Sequence, residues 1–389
     1  MKVLLAAHGT RGDVEPLAAV GRELLRRGHD VCMAVPPHLC GFVESAGLEV
    51  VAWVSTPWQG AGDFIRNVNG QLSLDAMIEI REHVARAWAE WCTTLASLAE
   101  GADLLLVNTG GQGRAGIVAE HYGIPLAVLS FFPGEGSHTG GMIWDIVQDA
   151  EDAQRRALGL PEATDSPEPL EIHAYDALCF PEVAKEWAKR GGHWPFVGAL
   201  TLDLPTDTDD EVLSWIAAGT PPIYFGFGSM PVESPADTLA MISAACAQLG
   251  ERALVCAGWT DFSGICDFEH VKVVGAVNHA AAFPLCRAVV HHGGVGTTAA
   301  GLRAGVPTLI LWFWVQDQPM WAAAVQRLGV GSGRDFSAST VVSLVADLRS
   351  ILTPQCMSRA REIAVQMTPP AQSVARAADL LEEAVRHVR

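Results

Sequence analysis

Residues 288–305, AVVHHGGVGTTAAGLRAG, carry a strand straight into a helix across a glycine turn. Ala288, Val289 and Val290 read as a buried strand that ends in His291-His292. Gly293, Gly294 and Gly296 make the turn, and Thr297-Thr298 open the helix. A helix start offers unpaired N–H groups and a positive dipole end, which suits a phosphate. Glycines let an anion reach the backbone, while hydroxyls and imidazoles add donors. The pattern favours diphosphate binding over its plainer alternative, a glycine turn with core histidines.

A second segment, TLILWFWVQDQP (308–319), points to the same end of the sheet. TLILW (308–312) reads as a strand, and a helix starts near Pro319. Asp317 and Gln318 therefore belong at a strand's carboxyl end, in the same crevice as the phosphate loop. A carboxylate beside a carboxamide suits paired sugar hydroxyls, because one accepts and the other both donates and accepts. Alone, Asp317 could simply cap the helix. Its nearness to the phosphate loop favours sugar binding.

Along the chain, strand and helix patterns alternate, as in a parallel α/β sheet. KVLLAA (2–7) is a buried strand. Pro16 suits the first turn of a helix that places Leu17, Val20, Leu24 and Leu25 on one face, and Gly28 ends it. DVCMAVP, DLLLVN (103–108) and PLAVLSFF (125–132) continue the sheet. ALTLDLPTDTDDE (199–211) turns acidic around Pro205 and reads as a linker. Alternation then restarts with IYFGFG (223–228), RALVCAG (252–258) and VKVVGAV (271–277). Pro369-Pro370 breaks the chain before a last helical pattern, Gln372–His387. The expected division is 1–200, a linker 201–212, 213–370 and a terminal helix 371–389. A length of 389 residues, 49% of them hydrophobic, is ample for two cores.

A net charge of −18 argues against nucleic acid and against electrostatic docking on anionic membranes. No apolar stretch approaches a membrane span, and VLLAA near the N-terminus is too short for a signal peptide. Peripheral membrane contact stays open. Nine cysteines without a CxxC read as reduced thiols of a cytoplasmic protein. GQGRAG (111–116) fits GxGxxG, but that match alone is a weak signal, and hydride transfer is disfavoured. Neither HExxH nor Cys/His spacing appears, and adjacent His291-His292 cannot share one metal, so no metal is expected. Lys272, the sole lysine of the second half, is embedded in an apolar strand pattern and does not suit pyridoxal phosphate.

HGTRGDVEP (8–16), PPIYFGFGSM (221–230), VGAVNHAAAFP (275–284), HHGGVGTT (291–298) and QDQP (316–319) occur in this order. With them the chain resembles the nucleotide-sugar glycosyltransferases of the GT-B fold. In wording it is most similar to the mycobacterial glycopeptidolipid and vancomycin-group antibiotic enzymes. The resemblance implies an α/β architecture of two Rossmann-like, doubly wound parallel-sheet domains facing a central cleft. It also implies a tail helix packed back on the N-terminal domain.

The same resemblance implies an inverting transfer from a nucleoside diphosphate sugar to a hydroxyl of a hydrophobic natural product, lipopeptide or glycolipid. Asp13 matches the family's general base, a role that sugar transfer to a hydroxyl requires, although an Asp there could also cap a helix. Donor contacts fall on Thr10, Arg11, Ser229, Trp259, Val277, His292, Gly294, Gly296, Thr297, Asp317 and Gln318. Val277 would read the pyrimidine edge through its backbone, and His292 would be the phosphate-binding histidine. Acceptor loops would lie at 56–72 and 131–142. They and their surroundings hold Trp58, Phe64, Phe131, Phe132, His138 and Trp144; Phe64, Phe132, His138 and His8 are the expected acceptor contacts.

One position departs from the family pattern. Many relatives hold both ribose hydroxyls with a glutamate where this chain has Ala300. A deoxyribose loses less from that absence, which favours a dTDP-deoxysugar donor over UDP. A UDP-sugar-dependent sterol, lipid or macrolide glucosyltransferase is the alternative. An epimerase of this architecture and a catalytically silent helper protein are further rivals. The helper would be expected to lose Asp13, His292 or the Asp317-Gln318 pair.

Overall fold

The computed structural model describes residues 1–53, 89–131, 133, 142–161, 169–189, 194–230, 232–265, 268–313 and 317–388. Two six-stranded sheets organise these residues. The first comprises β1 (Lys2–Ala6), β2 (Asp30–Val35), β3 (Glu49–Ala52), β4 (Leu104–Asn108), β5 (Leu126–Ser130) and β6 (Leu170–His173). Its order is β3-β2-β1-β4-β5-β6, with every pair parallel. The second comprises β7 (Ile223–Gly226), β8 (Ala253–Cys256), β9 (Val271–Val274), β10 (Ala288–His291), β11 (Thr308–Trp312) and β12 (Gly331–Asp335). Its order, β12-β11-β10-β7-β8-β9, is again all parallel.

Central strands such as β4 are buried from end to end, which explains their unbroken apolar runs: parallel strands are covered on both faces. Strand order reverses between β1 and β4 in one sheet and between β7 and β10 in the other. Loops leaving those neighbouring strands diverge to opposite faces and open a crevice at the carboxyl edge. HGTRGD follows β1 and HHGG straddles the end of β10, so both motifs stand at a reversal.

Two compact units follow, and their boundaries differ in detail from the sequence expectation. One comprises Met1–Ala174, Lys185–Leu202 and Ala371–Arg389; the other comprises Tyr175–Ala184 and Asp203–Pro370. Tyr175–Ala184 joins the second unit because its aromatics pack there: Tyr175 and Phe180 meet Trp321 edge-on at 6.0 and 4.8 Å. Nor is 201–212 a plain tether. Helix Asp209–Ala217 begins inside it, started by a buried Asp209 whose carboxylate accepts from the Thr206 N–H at 2.8 Å.

Pro16 also departs from expectation. Helix Arg11–Arg26 starts well before it, so the proline lies beyond the first turn. The bond it removes would have gone to the carbonyl of Gly12, an exposed residue. Val14, Leu17, Val20 and Leu24 of that helix pack on β1 and β2 in the first core.

The last helix, Pro370–Val388, adds Ala377, Ala378, Leu381 and Val385 to the same core. Arg27 holds Asp379 at 2.7 Å, and His29 meets Glu382 at 2.9 Å. Leu381 is fully buried. Leu381→Ala should therefore destabilise the N-terminal unit by about 2–5 kcal/mol, read as a lower denaturant midpoint. An unchanged midpoint would show that the helix adds nothing to that core.

Candidate functional site

Glycines bring the loops at the carboxyl edge of the second sheet into contact. Gly258, at φ 57°, lies so close to the Gly228 carbonyl that a Cβ there would sit 2.2 Å from it. Trp259 N–H donates to that same carbonyl at 3.0 Å. A Cβ on Gly228 would in turn fall 2.7 Å from Cε1 of His292, and one on Gly294 would fall 2.6 Å from Nε2. His292 is thus clasped between the loops after β7 and β10. Burial pushes its pKa down to about 4, although the Gly226 backbone pulls the other way. The ring is neutral at physiological pH, so one of its nitrogens carries a proton to donate.

His291 does something different. It is fully buried, and its Nδ1 accepts from the Gly293 N–H at 3.0 Å. Burial, then the neighbouring His292 and His279, push its pKa well below the ordinary value. That hydrogen bond fixes the proton on Nε2 and secures the turn at Gly293, whose φ of 101° suits glycine.

Helix Val295–Ala304 is capped by Gly294. Thr298 directs both its N–H (3.0 Å) and its hydroxyl (2.9 Å) to the Gly294 carbonyl, so that hydroxyl is committed. Val295, Gly296 and Thr297 are then the first-turn amides, which have no partner within the helix. A Cβ on Gly296 would meet nothing within 4 Å. The helix start is open where an anion would approach.

The Asp317-Gln318 pair, expected to bind the sugar, divides between two environments. Gln318 is 3% exposed, and its Oε1 accepts from the Phe313 N–H at 2.8 Å, bracing the exit from β11. Asp317 is half-buried at the first position of helix Asp317–Leu328. Ser229 is half-buried after Gly228, and Trp259 is 56% exposed beside it. The Val277 side chain packs into a cluster with Tyr224 and Phe283, which leaves only its backbone for contact.

In the N-terminal unit, Asp13 sits beneath the turn after β1. Its Oδ2 accepts from the Thr10 N–H (2.7 Å) and hydroxyl (3.1 Å). A Cβ on Gly9, where φ is 112°, would lie 2.3 Å from that oxygen. The capping role is therefore real. Burial nonetheless raises the Asp13 pKa, against the lowering effect of hydrogen bonds from Thr10 and Asn108. A carboxylate raised toward neutrality is a better proton acceptor than an ordinary one. His8 presses on Gly110 and is held neutral, its pKa lowered to about 4 by burial and by Arg114. Arg11 turns along its own helix, pairing with Glu15 at 2.9 Å and covering the Phe42 ring at 4.6 Å.

Asn108 is a residue that sequence reasoning missed. It ends β4, across the strand-order reversal from β1, and its Nδ2 donates to the His8 carbonyl at 3.1 Å. Its place at a strand end was the available signal. Phe64, Phe132 and His138, with Trp58, lie outside the described residues. Among the described residues, no group of three His, Cys, Asp or Glu could hold a metal, and no helix is long and apolar enough to cross a membrane.

Comparison with known proteins agrees with this architecture. The glycosyltransferase family 28 N-terminal domain matches residues 3–134, and the C-terminal domain of erythromycin biosynthesis protein CIII-like proteins matches residues 261–381. An uncharacterized glycosyltransferase of Mycobacterium tuberculosis is 56% identical, with 100% of each chain covered. An Arabidopsis thaliana sterol 3-beta-glucosyltransferase is 29% identical over 94% of this chain and 65% of its own length. The solved glycosyltransferase VinC in complex with DTDP has the same fold, with a TM-score of 0.70, 18% identity and 100% of both chains covered.

The two glycines at the helix start should respond oppositely to the same change. Gly296→Ala should stabilise the unit by up to about 1 kcal/mol, as alanine does in a helix, while weakening nucleoside diphosphate binding. Gly294→Ala collides with His292 and should lower both stability and binding. Thermal melts paired with calorimetry check this; undiminished binding in Gly296→Ala would reject the open helix start as the anion site.

Proposed function

The chain belongs to the glycosyltransferases of the family 28 and EryCIII-like type, with the GT-B fold, and we propose that it is an inverting enzyme using a nucleoside diphosphate sugar. The observation that carries this reading is the open start of helix Val295–Ala304 beside the clasped His292. As the bond from the anomeric carbon to the leaving oxygen breaks, negative charge collects on the diphosphate. The first-turn amides and a neutral imidazole donor meet that charge at fixed positions, and Thr297 and Ser229 add hydroxyls. Such donors stabilise the transition state more than the ground state.

In this proposal Asp13 takes the proton of the acceptor hydroxyl while the oxygen forms its bond to the anomeric carbon. Inversion follows from that single displacement. Asp317 holds sugar hydroxyls, and Gln318 keeps the turn in place. Backbone donors and an uncharged ring suffice for the leaving group, so the reading requires no metal.

Ala300 supports a dTDP-sugar donor, since an alanine cannot hold the 2′-hydroxyl of a ribose. The thymidine diphosphate carried by VinC supports the same class. The acceptor is proposed to be a hydrophobic natural product or lipid. A UDP-sugar-dependent sterol or lipid glucosyltransferase is a second reading, favoured by the Arabidopsis relative. The eight described cysteines are all free, which supports a reducing, cytoplasmic setting.

Two experiments test the reading. Asp13→Asn should leave donor affinity intact and lower turnover on the order of 10²–10⁴, with wild-type turnover undisturbed by EDTA. Because Asp13 must be ionised to act and its pKa is raised, wild-type turnover should fall as pH drops through that raised value. Near-normal turnover in Asp13→Asn, or a rate that stays flat on acidification, would remove Asp13 as base. For the donor, calorimetry should show tighter binding of dTDP than of UDP, and equal dissociation constants would reject the deoxyribose preference.

A further inference from the structure

The acidic segment that leads into the second unit grips the loop after β9 at consecutive peptide groups. The Thr208 hydroxyl donates to the Ala276 carbonyl at 2.6 Å. Asn278 N–H donates to Asp209 Oδ1 at 2.9 Å, and the Asn278 side-chain amide donates to Asp203 Oδ1 at 2.6 Å. Asp209 is itself held, accepting from the Thr206 hydroxyl at 2.6 Å and its N–H at 2.8 Å. Burial pushes the Asp209 carboxyl up, but the bonds from Asn278 and Thr206 outweigh it and keep the group below the usual carboxylate range.

These contacts fall on the peptide planes on either side of Val277. A trans peptide is planar, with its C=O and N–H pointing in opposite directions. With the Ala276 carbonyl directed at Thr208, the Val277 N–H on the same plane points away from the segment. With the Asn278 N–H directed at Asp209, the Val277 carbonyl points away as well. One donor and one acceptor of a single residue are therefore held side by side from behind. The buried Val277 side chain anchors the residue between them.

We infer that Thr208 and Asp209 are positioning residues that present the Val277 backbone as a rigid donor–acceptor pair to a pyrimidine imide edge. This rests on the reading that Val277 meets the base. The edge it complements, an N–H beside a carbonyl oxygen, is common to thymine and uracil. The clamp therefore selects the base class, while the sugar near Ala300 is left to separate dTDP from UDP. A loop lacking the clamp would have to lose its freedom when the nucleotide binds, which weakens affinity.

Calorimetric titration of the full chain with dTDP, N3-methyl-dTDP and inorganic pyrophosphate tests the clamp. Wild type should bind dTDP far better than the N3-methylated form, which lacks the donor. Thr208→Val should weaken dTDP binding by roughly tenfold, leave pyrophosphate binding unchanged and narrow the gap between the two nucleotides. Thr208→Ser should restore the wild-type values, and Asp209→Ala should repeat the loss. If wild type binds both nucleotides equally, the base-reading role of Val277 is wrong and the inference falls with it. If wild type discriminates but Thr208→Val does so equally well, the clamp alone is wrong. Parallel losses of dTDP and pyrophosphate would reduce Thr208 to a general structural role and also overturn it.

Discussion

The imidazole of His292 fills the space that side chains at positions 228 and 294 would need. That occupancy makes the second unit's site possible, because it locks the loop after β7 to the loop after β10 without any charged contact. Gly228 carries the next loop too, since its carbonyl takes the Trp259 N–H and abuts Gly258. The strand-order reversal puts these loops side by side, and the glycines let them touch. A side chain at any of these positions would push apart the groups that the proposed diphosphate site brings together.

The electrostatics follow from the same packing. His8, His291 and His292 are all driven neutral by burial, and Asp13 is driven toward its neutral form. At the described turn after β10 the two imidazoles are thus uncharged. In the proposed reaction, backbone dipoles and uncharged donors at this turn would meet the developing charge. Such groups are fixed by the fold and need little reorganisation as charge moves.

What the sequence disclosed was local. The strand–glycine–helix junction at 288–305 could be read directly, because turn, cap and hydroxyls are neighbours in the chain. Asp13 was legible through its motif, yet its partner Asn108 was not, because the two meet only once β1 and β4 pair. The surroundings of Gln318 were hidden for a related reason: in a sequence, a carboxamide looks the same whether its oxygen faces a ligand or a backbone N–H. Pro16 marked a helix but not its start, since an exposed carbonyl tolerated the lost bond. The acidic run 201–212 had the composition of a tether, and its clamp on residues 276–278 depends on partners far along the chain.

The final helix imposes an order on how the chain assembles. Ala377, Ala378, Leu381 and Val385 complete a core otherwise built from the first half of the sequence. During synthesis, the N-terminal sheet waits with an open apolar face while the whole of the second sheet is made. The second unit, whose strands all lie between positions 203 and 370, has no such wait. Closing the first core last requires contacts of very long sequence separation, which are slow to form. The face of β1, β2 and helix Arg11–Arg26 is therefore the surface a nascent chain most needs shielded until helix Pro370–Val388 packs on it.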